Sequence, residues 1–238
     1  MTPAPAPAAV PAADAHNDLL MLVEHFRDDP GYFRRNWLPQ LQAGQVRTQV
    51  LPVYVDEEFL PELALRQTLR LIETALATVG SCPELMLCRQ PGEVEHALAS
   101  DRIGIVLALE GCPAIGTDVQ LLRTLFRLGV RVASLTHFGR NSLADGSAED
   151  AAGSGLTRAG VADFTREIAE VLYGGGHVIE GCDMAAAVPG LAGPADLPNL
   201  AAELARRGFG PADVAAVMGG NLRRLLNEAI GAGLAASP

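Results

Sequence analysis

Three short apolar runs rich in β-branched residues punctuate the chain, at residues 46–55 (VRTQVLPVYV), 103–110 (IGIVLALE) and 130–137 (VRVASLTH). Each reads as a buried strand, being short, largely apolar and rich in β-branched residues. A weaker strand pattern covers 177–183, and a β-poor first strand is headed by His16, which makes five. Helical periodicity fills the intervals, at 61–79, 93–99, 118–128, 162–172, 197–207 and 211–230, the last opening on a proline suited to a first helical turn. Strands that alternate with helices must run parallel, so the pattern predicts an α/β fold with helices covering a parallel sheet. In such folds functional groups gather at the carboxyl ends of the strands.

The chain has 238 residues and is 49% hydrophobic, enough for one domain with a sizeable core. Residues 1–13 (MTPAPAPAAVPAA) are expected to form an extended, mobile Pro/Ala-rich tail, and residues 14–238 a single α/β domain. The stretch 138–160 is polar, glycine-rich and long, as functional loops are. Its 18 basic residues against 28 acidic ones give a formal charge of −10, which excludes a phosphate-tracking nucleic-acid surface. All the basic residues are arginine. Without lysine there can be no Schiff base, Walker-type phosphate loop or carbamylated-lysine metal bridge. No apolar run reaches the ~18 residues of a membrane span and no secretory pattern opens the chain, so no membrane partner and a cytoplasmic location are expected. Cys82, Cys88, Cys112 and Cys182 read as reduced thiols, with a Cys82–Cys88 bridge as the alternative.

The chemistry-bearing residues sit where the apolar runs stop. The chain has no Gly-x-Ser-x-Gly elbow, no His-Glu-x-x-His and no Gly-x-Gly-x-x-Gly, and the triplet Gly174-Gly175-Gly176 follows a helical pattern and reads as a helix stop. His16 and Asp18 lie two apart, and on an extended segment they would face one side and could share a metal ion. A solvated surface turn is the plainer alternative. Glu110 ends an apolar strand, where a carboxylate is costly to bury without a metal or an arginine beside it, and Gly111 lets the backbone turn away. His137 and Asp183 end their own runs in the same way. His25 and His96 fall on charged helical faces and read as surface residues, while His177 reads as structural.

Several segments together resemble the membrane (renal-type) dipeptidases, the M19 metallopeptidases. They are Asp14-Ala15-His16-Asn17-Asp18-Leu19, Leu107-Ala108-Leu109-Glu110-Gly111, LLRTLFRLGVRVASLTH ending at His137, NSLADG from Asn141, Gly155-Leu156-Thr157, and GGNLRRLL from Gly219. They occur in the family's order along nearly the whole chain. The resemblance implies a metal-dependent-hydrolase (β/α)8 TIM barrel and hydrolysis of dipeptides at a two-zinc site. It also implies that His16 and Asp18 bind the first Zn2+, that Glu110 bridges both ions, that His137 polarises the scissile carbonyl and that Asp183 handles the proton and the substrate amine. That assignment is chemically coherent, since a metal lowers the pKa of bound water and an adjacent carboxylate can move its proton.

The chain also departs from the family. Gly155-Leu156-Thr157 runs almost directly into VADFTREIAEVLYGGGHVIEGCDM, where the family has a long stretch carrying the second zinc's two histidines and a substrate-binding arginine. No histidine lies between His137 and His177, and Gly181-Cys182-Asp183-Met184-Ala185-Ala186 keeps only the first aspartate of the family's Gly-Ser-Asp-Phe-Asp-Gly. The expectation is therefore an incomplete barrel of about five parallel strands, one Zn2+ rather than two, and impaired hydrolysis of a small peptide substrate. The alternative is a non-catalytic dipeptidase-fold binding or scaffold protein, or a decayed paralogue. An open sheet has unpaired edges, which makes a homo-oligomer a further expectation.

Overall fold

The computed structural model describes residues 10–118, 120–146, 155–158 and 193–235, with no side chains described for 231–235. Asp183, His177, Cys182, the glycines 174–176, the expected helix 162–172 and the expected strand 177–183 lie outside the described residues.

Five strands form one parallel sheet: β1 (Ala12–Asp14), β2 (Val46–Tyr54), β3 (Leu85–Leu87), β4 (Ile103–Glu110) and β5 (Val130–Ala133). β1 pairs with β2, and β2 with β4 from Thr48↔Gly104 to Tyr54↔Glu110. The far side of β4 is shared, β3 pairing with its first residues and β5 with Leu107 to Leu109. Among the described residues the sheet is open, an incomplete barrel rather than a closed one.

β4 is buried from Ile103 to Leu109 because both of its faces are covered. Ile103, Ile105, Leu107 and Leu109 face a core built with α1 (Leu19–His25), α3 (Leu38–Ala43), α4 (Ala64–Ser81) and α6 (Gln120–Leu128). Val106 and Ala108 face the other side, against α5 (Glu93–Ala99) and α9 (Asn221–Ala235). A closed barrel fills its inner face with side chains from its own strands. Here two helices take that place.

Three departures from the expected boundaries bear on the site, beside small shifts at the ends of β2 (Val46–Tyr54) and of the expected helix 61–79, which is Ala64–Ser81. The ordered fold begins before Asp14: Ala12 is buried and donates its N–H to Gln45 O at 2.8 Å, so β1 starts inside the expected tail and His16 follows the strand rather than heading it. The expected helix 211–230 is two helices, α8 (Pro211–Ala215) and α9, joined by a π-helical turn over Ala216–Gly220 that kinks at Gly219. There the backbone of Gly219 presses on β1, and a Cβ on it would sit 2.5 Å from Ala13 N. The expected strand 130–137 keeps ladder geometry only to Ala133, because the Ser134 hydroxyl replaces a backbone partner by accepting the Gly111 N–H at 2.8 Å.

β3, α1, α2 (Tyr32–Asn36) and α3 had no counterpart in the periodicity, whereas α5 and β4 occupy the expected residues and α7 (Leu197–Arg206) ends one residue early. Cys82, Cys88 and Cys112 are free and buried, so the alternative bridge does not form. Burial pushes the Cys88 and Cys112 thiols up to about 12. No helix among the described residues is long and apolar enough to cross a membrane.

Candidate metal centre

The loop from β1 to α1 is preset by short-range hydrogen bonds. The Asp14 carboxylate accepts the His16 N–H at 3.1 Å and the Asn17 side-chain amide at 3.2 Å, and Asn17 Oδ1 accepts the Leu19 N–H at 3.1 Å. Desolvation raises the Asp14 carboxyl above its ordinary value, against those hydrogen bonds. His16 and Asp18 thus converge through a turn, not along an extended strand as their spacing suggested.

Glu110 reaches the same place from the carboxyl end of β4. Gly111 follows in the left-handed region at φ 78°, a conformation that costs an L residue energy, and the chain turns off the sheet there. The Cys112 N–H then bonds to Leu135 O at 3.0 Å, which ties the end of β4 to the segment carrying His137.

One ligand atom from each of His16, Asp18 and Glu110 lies within 4.8 Å of the other two. His16 Nε2 is 3.3 Å from Asp18 Oδ1 and 3.5 Å from Glu110 Oε1. Ligands of one tetrahedral ion at ~2.1 Å stand about 3.4 Å apart, so both separations match the edge of such a site. His16 Nε2 is also buried and has no hydrogen-bond partner among the described residues, which leaves its lone pair or proton without a directed contact between two carboxylates. The Asp18 carboxylate, helped by Glu110 and opposed by burial, holds the imidazole above its ordinary range. The donor set of one imidazole and two carboxylates suits Zn2+, and the three residues fit a single ion.

His137 reaches the same carboxylate oxygen, with Nε2 3.1 Å from Glu110 Oε1. The Tyr54 ring lies edge-on to it at 5.1 Å. The sequence did not single out Tyr54, although its position was a signal: it ends β2 opposite Glu110 in register, so the two share one rim. His25 and His96 are exposed, in keeping with their reading as surface residues.

Beyond His137 the loop is tied to itself. The Asn141 side chain donates to Leu135 O at 2.6 Å and accepts the Leu143 N–H at 2.8 Å. Asp145 N–H bonds to Gly155 O at 2.9 Å, and Thr157 N–H to Leu143 O at 2.8 Å. The NSLADG and Gly155-Leu156-Thr157 segments are therefore one structural unit packed next to the site.

Comparisons with known proteins agree with one another. A family model described as "Membrane dipeptidase (Peptidase family M19)" matches residues 7–170, a span that contains His16, Asp18, Glu110 and His137 and stops short of Asp183. Dipeptidase aclJ of Aspergillus oryzae is 30% identical over 174 residues, 64% of this chain. Those residues are 41% of the Aspergillus protein, so the chain spans about two fifths of that curated relative. A crystal structure of dipeptidase AC, a metallopeptidase of family M19, superposes with a TM-score of 0.74 at 17% identity, covering 94% of this chain and 99% of that one. A Rhodobacter sphaeroides metallopeptidase, solved with a phosphinate mimic of the dipeptide L-Ala-D-Ala, gives 0.73 at 16% identity, with 92% and 99% covered.

Proposed function

Because the chain belongs to the membrane dipeptidase family, peptidase family M19, we propose that it is a zinc-dependent hydrolase of dipeptides and related small amides, working with one ion. His16, Asp18 and Glu110 would hold that ion. The observation that carries the reading is the buried, unbonded Nε2 of His16, set at ligand-to-ligand spacing from two carboxylates. A bound Zn2+ supplies Lewis acidity and a water that ionises near neutral pH. Glu110 stands within reach of the His16 and His137 imidazoles, and on substrate binding His137 would turn its Nε2 from Glu110 toward the oxygen that gains charge during attack on the amide. Asp183 engages the substrate amine and carries the proton to the leaving nitrogen, a role that comes from the family pattern and lies outside the described residues.

Turnover is expected to be slow. In a two-metal site the pair of ions clamps the attacking and leaving atoms, and the histidines that serve the second ion in the family have no counterpart between His137 and His177. The test is a panel of L,L- and L,D-dipeptides with added zinc, on wild type and Glu110→Gln. Weak wild-type turnover is expected. Removal of a direct ligand should cost more than the ~10–100-fold typical of an outer-shell partner. Weak turnover that Glu110→Gln leaves unchanged would refute the assignment, and turnover typical of a fully competent enzyme would refute the single-ion reading. A fully inactive wild type that still binds zinc would favour the non-catalytic alternative.

A further inference from the structure

The candidate metal centre takes two of its three residues, His16 and Asp18, from the four-residue loop between β1 and α1. A loop that must turn the chain and also aim two side chains would sample many geometries if nothing held it, since every unrestrained residue has several backbone states. Asp14 removes much of that freedom. Its Oδ1 accepts the His16 N–H at 3.1 Å and its Oδ2 the Asn17 side-chain amide at 3.2 Å, while Asn17 Oδ1 accepts the Leu19 N–H at 3.1 Å. A chain of three hydrogen bonds thus runs from the end of β1 to the first residue of α1, across the segment that carries both ligands.

Asp14 is itself tied to the sheet. It stands in register with Gln49 of β2, and the fully buried Gln49 side chain donates a long bond to Asp14 O at 3.4 Å. Both Asp14 carboxylate oxygens face N–H donors, and the ligand atoms that converge among the described residues belong to His16, Asp18 and Glu110. Asp14 therefore stands behind the centre and not in it.

We propose that Asp14, acting through Asn17, is a positioning residue that fixes the β1–α1 loop in its ion-binding geometry before an ion arrives, and so sets the affinity of the centre for Zn2+. This rests on the metal-centre reading above, and adds to it the pair of side chains that preorganises His16 and Asp18. A partner standing behind a metal ligand is typically worth about 10–100-fold in metal affinity. What Asp14 supplies is a pattern of acceptors, which can be separated from its charge. Exchanging the two side chains, Asp14→Asn with Asn17→Asp, keeps an acceptor for the His16 N–H, a donor–acceptor pair between positions 14 and 17, and an acceptor for the Leu19 N–H. Asp14→Asn alone sets two amides against each other. The Asn17 amide has one oxygen, so it can then accept from position 14 or from the Leu19 N–H, and one bond of the chain is lost.

The experiment measures zinc affinity by chelator competition on wild type, Asp14→Ala, Asp14→Asn and the exchanged pair, with hydrogen exchange at the His16 and Leu19 amides followed by NMR on the metal-free proteins. The expected result is a loss of about 10–100-fold in Asp14→Ala, a smaller loss in Asp14→Asn, and recovery to within about threefold of wild type in the exchanged pair. Exchange should quicken at the His16 amide in Asp14→Ala and at the Leu19 amide in Asp14→Asn, and slow again in the exchanged pair. A merely structural role would lower the melting temperature of the metal-free protein and leave the zinc affinity of the folded fraction unchanged, which overturns the inference and spares the metal reading. An exchanged pair as weak as Asp14→Ala would also overturn it, because the charge at position 14 would then be what matters. If Asp14→Ala does not fold, Asp14→Asn against the exchanged pair makes the same comparison. A wild type that binds no zinc refutes the metal reading, and amide exchange then decides alone. Quickened exchange that the exchanged pair reverses supports Asp14 as the holder of the loop, and equal exchange in all the proteins overturns it.

Discussion

Glu110 shows how much functional information the position of a single side chain can carry. A carboxylate after seven apolar residues must find a compensating partner, and in the fold it faces His16 and His137. His16 was legible only through its motif, because its position depends on the Asp14 turn and not on strand alternation. Tyr54 was missed, although it ends an apolar run as Glu110 does, because a strand-end tyrosine carries no charge that burial would penalise. Cysteine behaviour is a residue-scale consequence of burial. With a pKa of about 12, less than about one part in a thousand of the Cys88 and Cys112 thiols is ionised at pH 8, and the thiolate is the reactive form. Iodoacetamide at pH 8 should therefore leave Cys88 and Cys112 unlabelled in the native protein and label both in urea, as read by peptide mass spectrometry. Rapid native labelling of either would show that the segment leaving β3 or β4 is not packed as described.

At the scale of elements, legibility followed burial. β4 and the 50–53 part of β2 were readable because parallel strands covered on both faces are apolar at successive positions, and α5 and α6 because their buried residues recur at helical spacing. β1 (AAD) and β3 (LML) are three residues each with no β-branched side chain, and pairing with longer neighbours holds them in the sheet. The first helix is held to the fourth by a polar clamp: buried Glu24 pairs with Arg70 at 3.1 Å and accepts the Thr74 hydroxyl. Arg70 is half exposed and can rehydrate, so Glu24→Ala should cost about 1–2 kcal/mol, less than a fully buried pair would. Urea unfolding checks this, and a change below about 0.5 kcal/mol would mean the clamp contributes nothing beyond surface pairing. The turn between α8 and α9 is the second contact to test. A Cβ on Gly219 would meet Ala13 N at 2.5 Å and the Arg223 guanidinium at 2.7 Å. Gly219→Ala should push on β1, just ahead of the His16 loop, and lower stability by about 1–3 kcal/mol, as overpacking does. It should weaken zinc binding as well. Unchanged stability and zinc affinity would show that β1 does not rest on this turn.

For the whole molecule, the parallel sheet brings Tyr54, Glu110 and His137 to one rim, because every strand ends on the same side, and the β1–α1 loop delivers His16 and Asp18 to that rim. The second face of the open sheet is closed by α5 and α9, a solution that strand periodicity did not foretell because it concerns only what covers the sheet. That architecture brings one potential ligand atom from each of His16, Asp18 and Glu110 within 4.8 Å of the others. The most direct measurement is the zinc content of the purified protein after dialysis against a weak chelator, taken on wild type, His16→Ala and Glu110→Gln. The account predicts one zinc per chain in the wild type and a loss of most of it in both variants, with the folded state retained by circular dichroism. Two ions per chain, none, or one ion that both variants keep would contradict it.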